Sequence, residues 1–512
     1  MNRRHLLGTG LGTAAMLAAG GLPAATPTPD DPLALLAEGD PLPSPRSVRL
    51  NVKPVATNII HTGLWEGPCR WTGVPPAEEK ARADQNFARW SEGLRKGRVA
   101  REKGVRLLDP VQITFSEDFR LEASELAKLQ PDLEETDVFF VLPWGSSFAA
   151  YEIGARHDRP IAMIGLGCRQ VDIAAYSRAR GHEAFLAADE EELVGLLALL
   201  RARKVLRQMK VLFPTDRGLP AACSVGSIWD LEAMKARTGV GAETVGYAQL
   251  GQAMEEVSAD EAARRKAERV ADRLLAEAQR SFIDRPYVVK SLLFYQAVRR
   301  LMARHGCNAF TIECFEMCAS KRAEAWQVTP CLVHSLHRDL GHASSCEGDL
   351  GSLLAMRMLM SVAGRACHQG NSDPRPKGTF RINHSVPARL MAGYDRPPLP
   401  YQLGHFVSKG WGTKVLVDFM NHDEKVVTVA RVDPTARKVL ILRGDLVGAS
   451  GWDRDVVGCS VEALIRPPDG RLDEFLRKRM EFGNHLQWVY GDYVEPMRRL
   501  AEMAGLEPDV MA

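Results

Sequence analysis

The sequence DVFFVLPWG at residues 137–145 begins a strand–helix–strand unit that decides the fold class. It ends in a glycine turn, and SFAAYEIGARHD at residues 147–158 follows with the pattern of a helix. A second apolar run, PIAMIGLG at residues 160–167, again ends in glycine. Short apolar strands that end in Gly or Pro and are separated by helical segments are typical of parallel βαβ units. We therefore predict an α/β fold with a parallel sheet.

The same pattern extends in both directions from this unit. RLNVKPVATNII at residues 49–60 predicts a strand near the start of an N-terminal α/β domain, residues 47–203. A second block begins near Lys204 and passes through charged helical segments to the strand-like CNAFTIECF at residues 307–315. Alternating strands and helices again indicate βαβ units. We predict that residues 204–374 form a second α/β domain.

The C-terminal part of the chain, residues 375–512, has a different pattern. KVLVDFMNHDEKVVTVARVDPTARKVLILRGDLVGA at residues 414–449 contains three β-rich runs separated by polar turns. SVEALIRPPDG at residues 460–470 adds a fourth run. Closely spaced strands without intervening helices indicate antiparallel β-structure, and we predict a small barrel or sandwich.

Length and charge limit the classes of protein that the chain can belong to. Its 512 residues suit two or three domains. The 66 basic and 64 acidic residues nearly balance, which implies no large basic surface and gives nucleic acid little support as a partner. The 45% of hydrophobic and 25% of charged residues are ordinary for a soluble globular enzyme.

The N-terminus has the composition of an export signal. Arg3 and Arg4 precede an apolar stretch at residues 6–22 that is rich in Gly and Ala, and small residues follow at 24–25. This order resembles a twin-arginine signal over residues 1–25, and it predicts a periplasmic protein. The alternative is a membrane anchor, but the apolar stretch contains five glycines and is short for a lasting span. We therefore expect no permanent membrane anchor.

The Pro-rich segment at residues 26–46 predicts a flexible leader.

The ten cysteines are an even number, which in an exported chain would normally suggest disulfides. The twin-arginine route, however, exports proteins that have folded in the reducing cytoplasm. We therefore expect few or no disulfides, with most cysteines acting as small buried hydrophobes.

The sequence SSCEGDLGSLLAMRML at residues 344–359 places two acids directly before an apolar helical run. Asp349 is favoured as the N-cap of this helix. Glu347 precedes the helix by two further residues, next to Cys346 and Gly348, and a carboxylate held at a helix N-terminus is stabilised as an anion by the helix dipole. Carboxylate oxygens are the ligands that Mn²⁺ and Mg²⁺ prefer, so Glu347 is a candidate metal ligand.

Three later polar segments add candidate ligands. Asp373 lies 26 residues after Glu347 in the loop-like CHQGNSDPRP, His384 lies in FRINHSVPARL, and His485 lies in FGNHLQWVYGDY. Taken singly, each histidine is more often a core or surface residue than a ligand. Taken together, the two acids and two histidines outline a site for Mn²⁺ or another divalent cation.

Other residues are candidates for a second metal site or for substrate contacts. A C-x3-C…C-x2-H-x2-H pattern could bind zinc, although buried cysteines are the favoured interpretation; its members are Cys314, Cys318, Cys331, His334 and His337. Glu313 lies near a predicted strand end, where α/β sheets bind ligands. His342 lies shortly before Glu347, and it could line the same pocket or belong only to a turn.

The motifs FTIECF, SSCEGDLGSLLAMRM, GNSD, INHSVP and GNHLQWVYGD occur in an order that resembles the L-fucose/L-arabinose isomerase-like superfamily. The resemblance is best over residues 308–512. It implies two Rossmann-like α/β domains followed by a C-terminal domain with an antiparallel β-barrel. It also implies a homo-oligomer, either a trimer or a hexamer.

The resemblance implies a Mn²⁺-dependent aldose–ketose isomerase that acts on a small sugar. Moving a proton between C1 and C2 creates an ene-diol oxyanion, which the metal stabilises, and it needs acid/base groups beside the carbons. By this resemblance Glu347 is a metal ligand and the base, and His384 and His485 are further ligands.

The identity of the second acid stays open at the level of sequence. Asp373 has the right separation from Glu347 to be both ligand and acid, but Asn371 could occupy that place. In the latter case the metal still binds while proton transfer loses its partner, and Asn371 joins Glu313 and His342 as an expected substrate contact. The alternative function is a non-catalytic periplasmic sugar-binding protein, and a hydrolytic or lyase role on a modified sugar is a third possibility.

Overall fold

The computed structural model describes residues 31–64, 73–145, 147–468 and 470–512. Within these ranges the fold is mixed α/β, with two all-parallel sheets, a mixed seven-stranded sheet and a small three-stranded sheet. The expected export signal and the first residues of the leader lie outside the described ranges. In the part of the chain that is described, we find no helix with the length and apolarity that a membrane crossing requires.

The leader is folded against the rest of the chain from residue 31 onward, which differs from the flexible segment expected. It contains helix α1 (Pro32–Ala37) and a short 3-10 helix, Pro45–Ser47. Leu36 lies in the main hydrophobic core, and Asp40 forms a 2.6 Å ion pair with the buried Arg299. The apolar PLALLA segment explains the difference, because burying its leucines offsets the entropy lost on ordering.

The first sheet is parallel and contains six described strands. They are β1 (Leu50–Ile59), β2 (Val105–Leu107), β3 (Val111–Phe115), β4 (Val138–Pro143), β5 (Ile161–Ile164) and β6 (Ala184–Ala187). The strand order is β2-β1-β4-β5-β6, and β3 follows β2 along the same edge of β1.

The helices that accompany the first sheet supply its crossover connections. They are α2 (Pro76–Lys96), α3 (Arg98–Arg101), α4 (Ala123–Leu126), α5 (Ser147–His157), α6 (Cys168–Ala179) and α7 (Glu190–Arg207), with a 3-10 helix at Ala127–Asp132. The predicted strand–helix–strand unit is confirmed as β4, α5 and β5, in which Phe139 pairs with Ile161 in a parallel register. Two apolar clusters, one on each face, bury the sheet.

The next part of the chain forms a second parallel sheet. The strands in this part of the chain are β7 (Lys210–Pro214), β8 (Gly241–Val245), β9 (Arg280–Ser281), β10 (Ala309–Ile312) and β11 (Ser344–Cys346), and four of them form the sheet. The order is β11-β10-β7-β8, all parallel, whereas β9 belongs to the small sheet. Lys204, where the second block was expected to begin, lies in α7, and the first strand starts at Lys210.

The second sheet is surrounded by a longer series of helices. They are α8 (Leu231–Thr238), α9 (Tyr247–Ala259), α10 (Glu261–Glu277), α11 (Arg285–Arg304), α12 (Cys314–Ala319), α13 (Arg322–Trp326), α14 (Cys331–Asp339) and α15 (Leu350–Ala363). Helix α15 is apolar on nearly every side and packs against strands of the seven-stranded sheet as well as against α7. A helix that is hydrophobic all round is a core element.

The C-terminal part is rich in β-structure, as predicted. Its strands are β12 (His368–Arg375), β13 (Thr379–His384), β14 (Tyr401–His405), β15 (Thr413–Val417), β16 (Val426–Val432), β17 (Lys438–Ser450), β18 (Val461–Arg466), β19 (His485–Tyr490) and β20 (Glu507–Met511). Its helices are α16 (Leu472–Lys478) and α17 (Val494–Met503), with 3-10 helices at Leu390–Ala392 and Arg479–Glu481.

The seven-stranded sheet has the order β16-β19-β12-β13-β18-β17-β20. Strand β16 also pairs with β17, so that six of these strands form a continuous circuit of antiparallel pairings, and β20 joins β17 in parallel. The sheet begins at His368, a few residues before the boundary expected at residue 375. Strands β14 and β15 pair with β9 in the small sheet.

The second and seven-stranded sheets share one hydrophobic core. Side chains from α11, β10, β16 and β19 meet in it, among them Leu292, Phe310, Val427 and Trp488. This shared core holds the carboxyl ends of β10 and β11 close to β13 and β19, where the candidate ligands lie.

Candidate metal centre

Glu347 lies in a strained turn between β11 and α15. Its φ angle is 63°, in the left-handed region that a residue with a side chain rarely adopts, and φ is 67° at the following Gly348. A Cβ atom at Gly348 would lie 2.8 Å from Cζ of Phe213 and 2.9 Å from Cβ of Ala221, so only glycine fits there. Two successive left-handed residues give the chain the sharp turn that separates strand from helix.

Three expected ligands meet at this turn. Oε1 of Glu347 lies 3.3 Å from Nε2 of His384, and Oε2 lies 3.4 Å from Nε2 of His485. One nitrogen or oxygen atom from each residue lies within 4.8 Å of the other two. Neither histidine Nε2 has a hydrogen-bond partner among the described residues. Two imidazoles and one carboxylate that converge in this way are a common ligand set for divalent transition metals.

A second layer of contacts orients His485. Its Nδ1 lies 2.9 Å from Oδ2 of Asp349, so that Nε2 remains for Glu347 or a cation. Asp349 also accepts the backbone N–H of Ser352 at 3.0 Å, which confirms it as the N-cap of α15. Both oxygens of Asp349 lie 2.6 Å from Nη1 of the buried Arg431. A carboxylate behind a ligating histidine fixes the tautomer and the orientation of its ring.

The charges of the site favour an anionic pair of carboxylates. Burial raises the pKa of Asp349, but the Arg431 guanidinium and His485 more than offset this and hold that pKa well below its usual range. Burial likewise raises the pKa of Glu347, yet His384 and His485 leave it lowered. Burial lowers the pKa of His384, whereas Cys459 and Glu347 raise it well above its ordinary value. Both carboxylates are therefore charged at neutral pH, as metal binding requires.

A cavity of about 240 Å³ opens beside Glu347 and His384, while His485 lies behind Glu347 and outside the cavity lining. The polar side chains of its wall are those of Glu347, Asn371, His384, Thr329 and Ser385. The remaining wall is apolar and rich in thiols, with the cysteines Cys314, Cys318, Cys331, Cys346 and Cys459. The Sγ atoms of Cys314 and Cys346 lie 4.0 Å apart. The chain thus encloses a small chamber in which a metal ligand set faces soft, weakly polar groups.

Asp373, expected as a ligand and acid, does not reach this group. It lies in strand β12, not in the expected loop, and its Oδ2 accepts a 2.9 Å hydrogen bond from Nε of Arg381. The register pairs Asn371, not Asp373, with His485. Residues two apart along a strand are about 7 Å apart, which takes Asp373 away from Glu347. Asn371 is the residue that lines the cavity at this level.

The other expected substrate contacts lie away from the cavity wall. Glu313 caps α12 by accepting the N–H of Phe315 at 3.2 Å, and it also accepts the N–H of Cys223 at 3.1 Å. Burial raises the pKa of this carboxyl. His342 is buried, and its Nδ1 lies 3.0 Å from the carbonyl oxygen of Asn308. Both residues therefore have structural partners, and only Asn371 of the three lines the cavity.

The five residues of the possible zinc pattern do not converge on one point. His334, on the buried helix α14, has its Nδ1 2.7 Å from Oγ of Ser344. Cys314 begins α12 instead of ending a strand. Within the described ranges, the groups able to hold a metal are Glu347 with the two histidines, and Cys314 with Cys346 and Glu347. All nine cysteines in these ranges have free thiols.

Two functional features were missed at the level of sequence. Arg431 gave no local signal, because its partner Asp349 lies 82 residues away in the chain. The thiol-lined cavity was not predicted either, because its cysteines are scattered along the sequence. They were interpreted as core residues or as part of a zinc pattern.

The chain matches none of the protein-family models, and no curated protein has a significantly similar sequence.

Proposed function

We propose that this protein binds Mn²⁺ or another divalent cation through Glu347, His384 and His485. We further propose that it catalyses an aldose–ketose isomerisation, or a related proton transfer, on a small sugar. The observation that carries the proposal is the meeting of two histidine Nε2 atoms at the two carboxylate oxygens of Glu347. The carboxylate and the two imidazoles come from separate elements, and a cation placed among them would relieve two unpartnered nitrogens.

The chemistry of the donor atoms fits such a cation. A bound divalent cation supplies stabilisation of the negative charge that develops on a sugar oxygen during proton transfer. Asp349 holds His485 with Nε2 free, and Arg431 keeps Asp349 ionised. Glu347 is anionic and can accept a proton from a carbon atom held in the cavity. The largely apolar, thiol-lined wall lowers the local dielectric constant, which strengthens these electrostatic interactions.

A second candidate function is sugar binding without catalysis. It is favoured by one specific observation, which is that the cavity presents Asn371 where a second acid is needed, while Asp373 is paired with Arg381. An amide can orient a hydroxyl group but cannot exchange a proton with it at neutral pH. The two functions differ in whether the C2 hydrogen of a bound sugar exchanges with solvent.

Metal binding is the first property to test. We expect the purified protein to bind one Mn²⁺ or Co²⁺ per chain in isothermal titration calorimetry, and Glu347→Gln or His485→Gln to weaken binding at least 100-fold. Asp373→Asn is the matched control, because this carboxylate lies two residues after the cavity-lining Asn371 but is paired with Arg381. Equal loss of binding in Asp373→Asn would contradict the assignment of ligands.

Proton exchange then separates the two functions. The Mn²⁺-loaded protein is incubated in D₂O with a panel of pentoses and 6-deoxyhexoses, and deuterium at C2 is followed by NMR. Exchange that is lost in Glu347→Gln and kept in Asp373→Asn supports isomerase chemistry. Sugar binding without exchange supports the binding protein, and in that case Asn371→Asp is the variant in which exchange is expected to appear.

The proposal extends to architecture, assembly and location. The two parallel sheets would be Rossmann-like domains, and the circuit of six paired strands would be the C-terminal β-barrel of the fucose/arabinose isomerase-like superfamily.

The assembly would be a trimer or hexamer, which light scattering at micromolar concentration tests directly. Residues 1–25 would direct export to the periplasm, and replacement of Arg3 and Arg4 by Lys in the full chain should abolish it.

A further inference from the structure

A second cavity, of about 170 Å³, lies where the leader, α7 and α15 meet. Three arginines line it, and each comes from a different element: Arg46 from the 3-10 helix at Pro45–Ser47, Arg201 from α7, and Arg357 from α15. It shares no lining residue with the cavity beside Glu347. It is therefore a separate feature of the molecule, and the proposed metal chemistry makes no use of it.

Arg357 is a buried cation without a counterion in the described structure. Its side chain is buried, with the whole residue 3% exposed, and Nη1 donates to the carbonyl oxygen of Gly341 at 2.9 Å. Its Nε and Nη2 find no hydrogen-bond partner among the described residues. The equally buried Arg338 differs, because carbonyl and amide oxygens accept from each of its three nitrogens. A buried charge that lacks such compensation indicates a missing partner.

A second unpartnered group lies on the same face of the same helix. Ser361 is four residues after Arg357 on α15 and lines the same cavity. Its Oγ also lacks a hydrogen-bond partner within the described ranges. Residues four apart on a helix are neighbours on its surface, so the hydroxyl and the guanidinium can bind one small ligand together.

The other two arginines are held in place by the backbone and by an aromatic ring. Arg201 donates from Nε to the carbonyl oxygen of Val48 and from Nη2 to that of Arg46, both at 2.7 Å. The Arg46 guanidinium lies 4.3 Å from the ring centre of Tyr394. Asp395 supplies the one carboxylate of the lining, and its exposed Oδ1 is 3.9 Å from Nη2 of Arg46. Three cations thus face a single, solvent-exposed anion.

We propose that this cavity binds a small tetrahedral oxyanion, either inorganic phosphate or the phosphoryl group of a small metabolite. Guanidinium groups match the oxygens of such an anion geometrically and remain charged at every physiological pH. A water molecule could accept hydrogen bonds from Arg357, but it would not neutralise the charge. The volume of about 170 Å³ suits a single phosphoryl group.

The test is a titration of inorganic phosphate into the full chain at constant ionic strength, followed by calorimetry. We expect saturable binding of one phosphate per chain, weakened at least tenfold by Arg357→Met and several-fold by Ser361→Ala. Arg89→Met, which removes an exposed arginine from α2, is the matched control and should leave binding unchanged. Absence of saturable binding, or equal binding in Arg357→Met, would overturn the proposal.

Two further measurements identify the source of the phosphate and guard against misfolding. Tighter binding of a pentose phosphate than of inorganic phosphate assigns the site to a metabolite, whereas equal binding assigns it to the free ion. If Arg357→Met fails to fold, phosphate binding by Ser361→Ala tests the proposal instead, since this change removes only one hydroxyl group. Mn²⁺ binding should be unchanged in Ser361→Ala, so that failure of this site and failure of the metal site remain distinguishable.

Discussion

Glu347 combines an unfavourable backbone conformation with the central position in the candidate metal centre. A left-handed conformation at a residue with a side chain costs about 1–2 kcal/mol. The surrounding turn enforces it, because Gly348 is confined between Phe213 and Ala221. Backbone strain of this kind is found where a side chain must be held in one position for function. Here it holds the carboxylate oxygens of Glu347 within 3.4 Å of Nε2 of His384 and Nε2 of His485.

This strain can be measured by comparing Glu347→Gly with Glu347→Ala. Both changes remove the carboxylate, but only glycine adopts a φ of 63° without a steric penalty. We expect the glycine variant to be more stable than the alanine variant by about 1 kcal/mol in urea-induced unfolding without metal. Equal stability of the two variants would contradict a strained turn at this residue.

The pair of Asp349 and Arg431 determines the charge behind His485. Both side chains are almost completely buried, and the carboxylate oxygens lie 2.6 Å from Nη1. Removing one partner leaves the other charge buried and uncompensated, so we expect Arg431→Met to lower the free energy of unfolding by about 3–5 kcal/mol. The double variant with Asp349→Asn should recover part of this loss. Thermal unfolding of the unaltered protein and of these two variants checks both statements.

At the scale of elements, local patterns predicted the sheets better than they predicted strand β12. The β4–α5–β5 unit was predictable because its apolar runs and glycine turns are contiguous in the sequence. Strand β12 was interpreted as a loop because Pro374 cannot donate a hydrogen bond. The structure accommodates Pro374 because β12 pairs with β19 only over residues 368–371, which leaves one edge of the strand unpaired at the proline.

The candidate site was predictable where its residues carry their own chemical signal. The acid of CEGD and the histidines of INHS and GNH were recognised as possible ligands, and the fold brings these three together. Whether Asn371 or Asp373 lines the cavity depends on the register of β12 against β19, and the sequence alone does not give that register. Arg431 was missed because a single arginine in a strand resembles any solvated residue until its partner is placed beside it.

The leader is an element whose contribution to stability can be tested separately. Arg299 is 4% exposed, and its ion pair with Asp40 fastens the leader to α11. We expect Asp40→Asn to destabilise the protein by about 3 kcal/mol, because Arg299 then loses its charged partner. Glu38→Gln is the control in the same segment, since Glu38 and Arg269 are exposed and 3.8 Å apart. Its effect should stay within about 0.5 kcal/mol.

For the whole molecule, buried neutral histidines contribute to the loss of stability in mildly acidic solution. Burial lowers the pKa of several of them well below the ordinary value, namely His334, His337, His342 and His368. In the unfolded chain these groups take up protons below a pH of about 6.5. The unfolded state therefore binds more protons than the folded state in mildly acidic solution, and stability falls as the pH falls.

We expect the free energy of unfolding to be constant with respect to these histidines above about pH 7 and to fall below about pH 6.5. Each histidine contributes up to about 1.4 kcal/mol per pH unit, in the window between its unfolded and folded pKa values. His342→Gln should reduce the slope between pH 6 and pH 5 by about this amount. Urea unfolding at four pH values measures it, and an unchanged slope would contradict a neutral, buried His342.

Helix α15 is shared by both candidate sites. Asp349 caps its N-terminus behind His485, and Arg357 lies about 12 Å further along the same helix, which rises 1.5 Å per residue. Any coupling between the two sites must be reciprocal, because a phosphate that tightens metal binding by some factor obliges the metal to tighten phosphate binding by the same factor. With such coupling, the measured affinity for phosphate would report whether the metal is bound, and this measurement needs no sugar substrate.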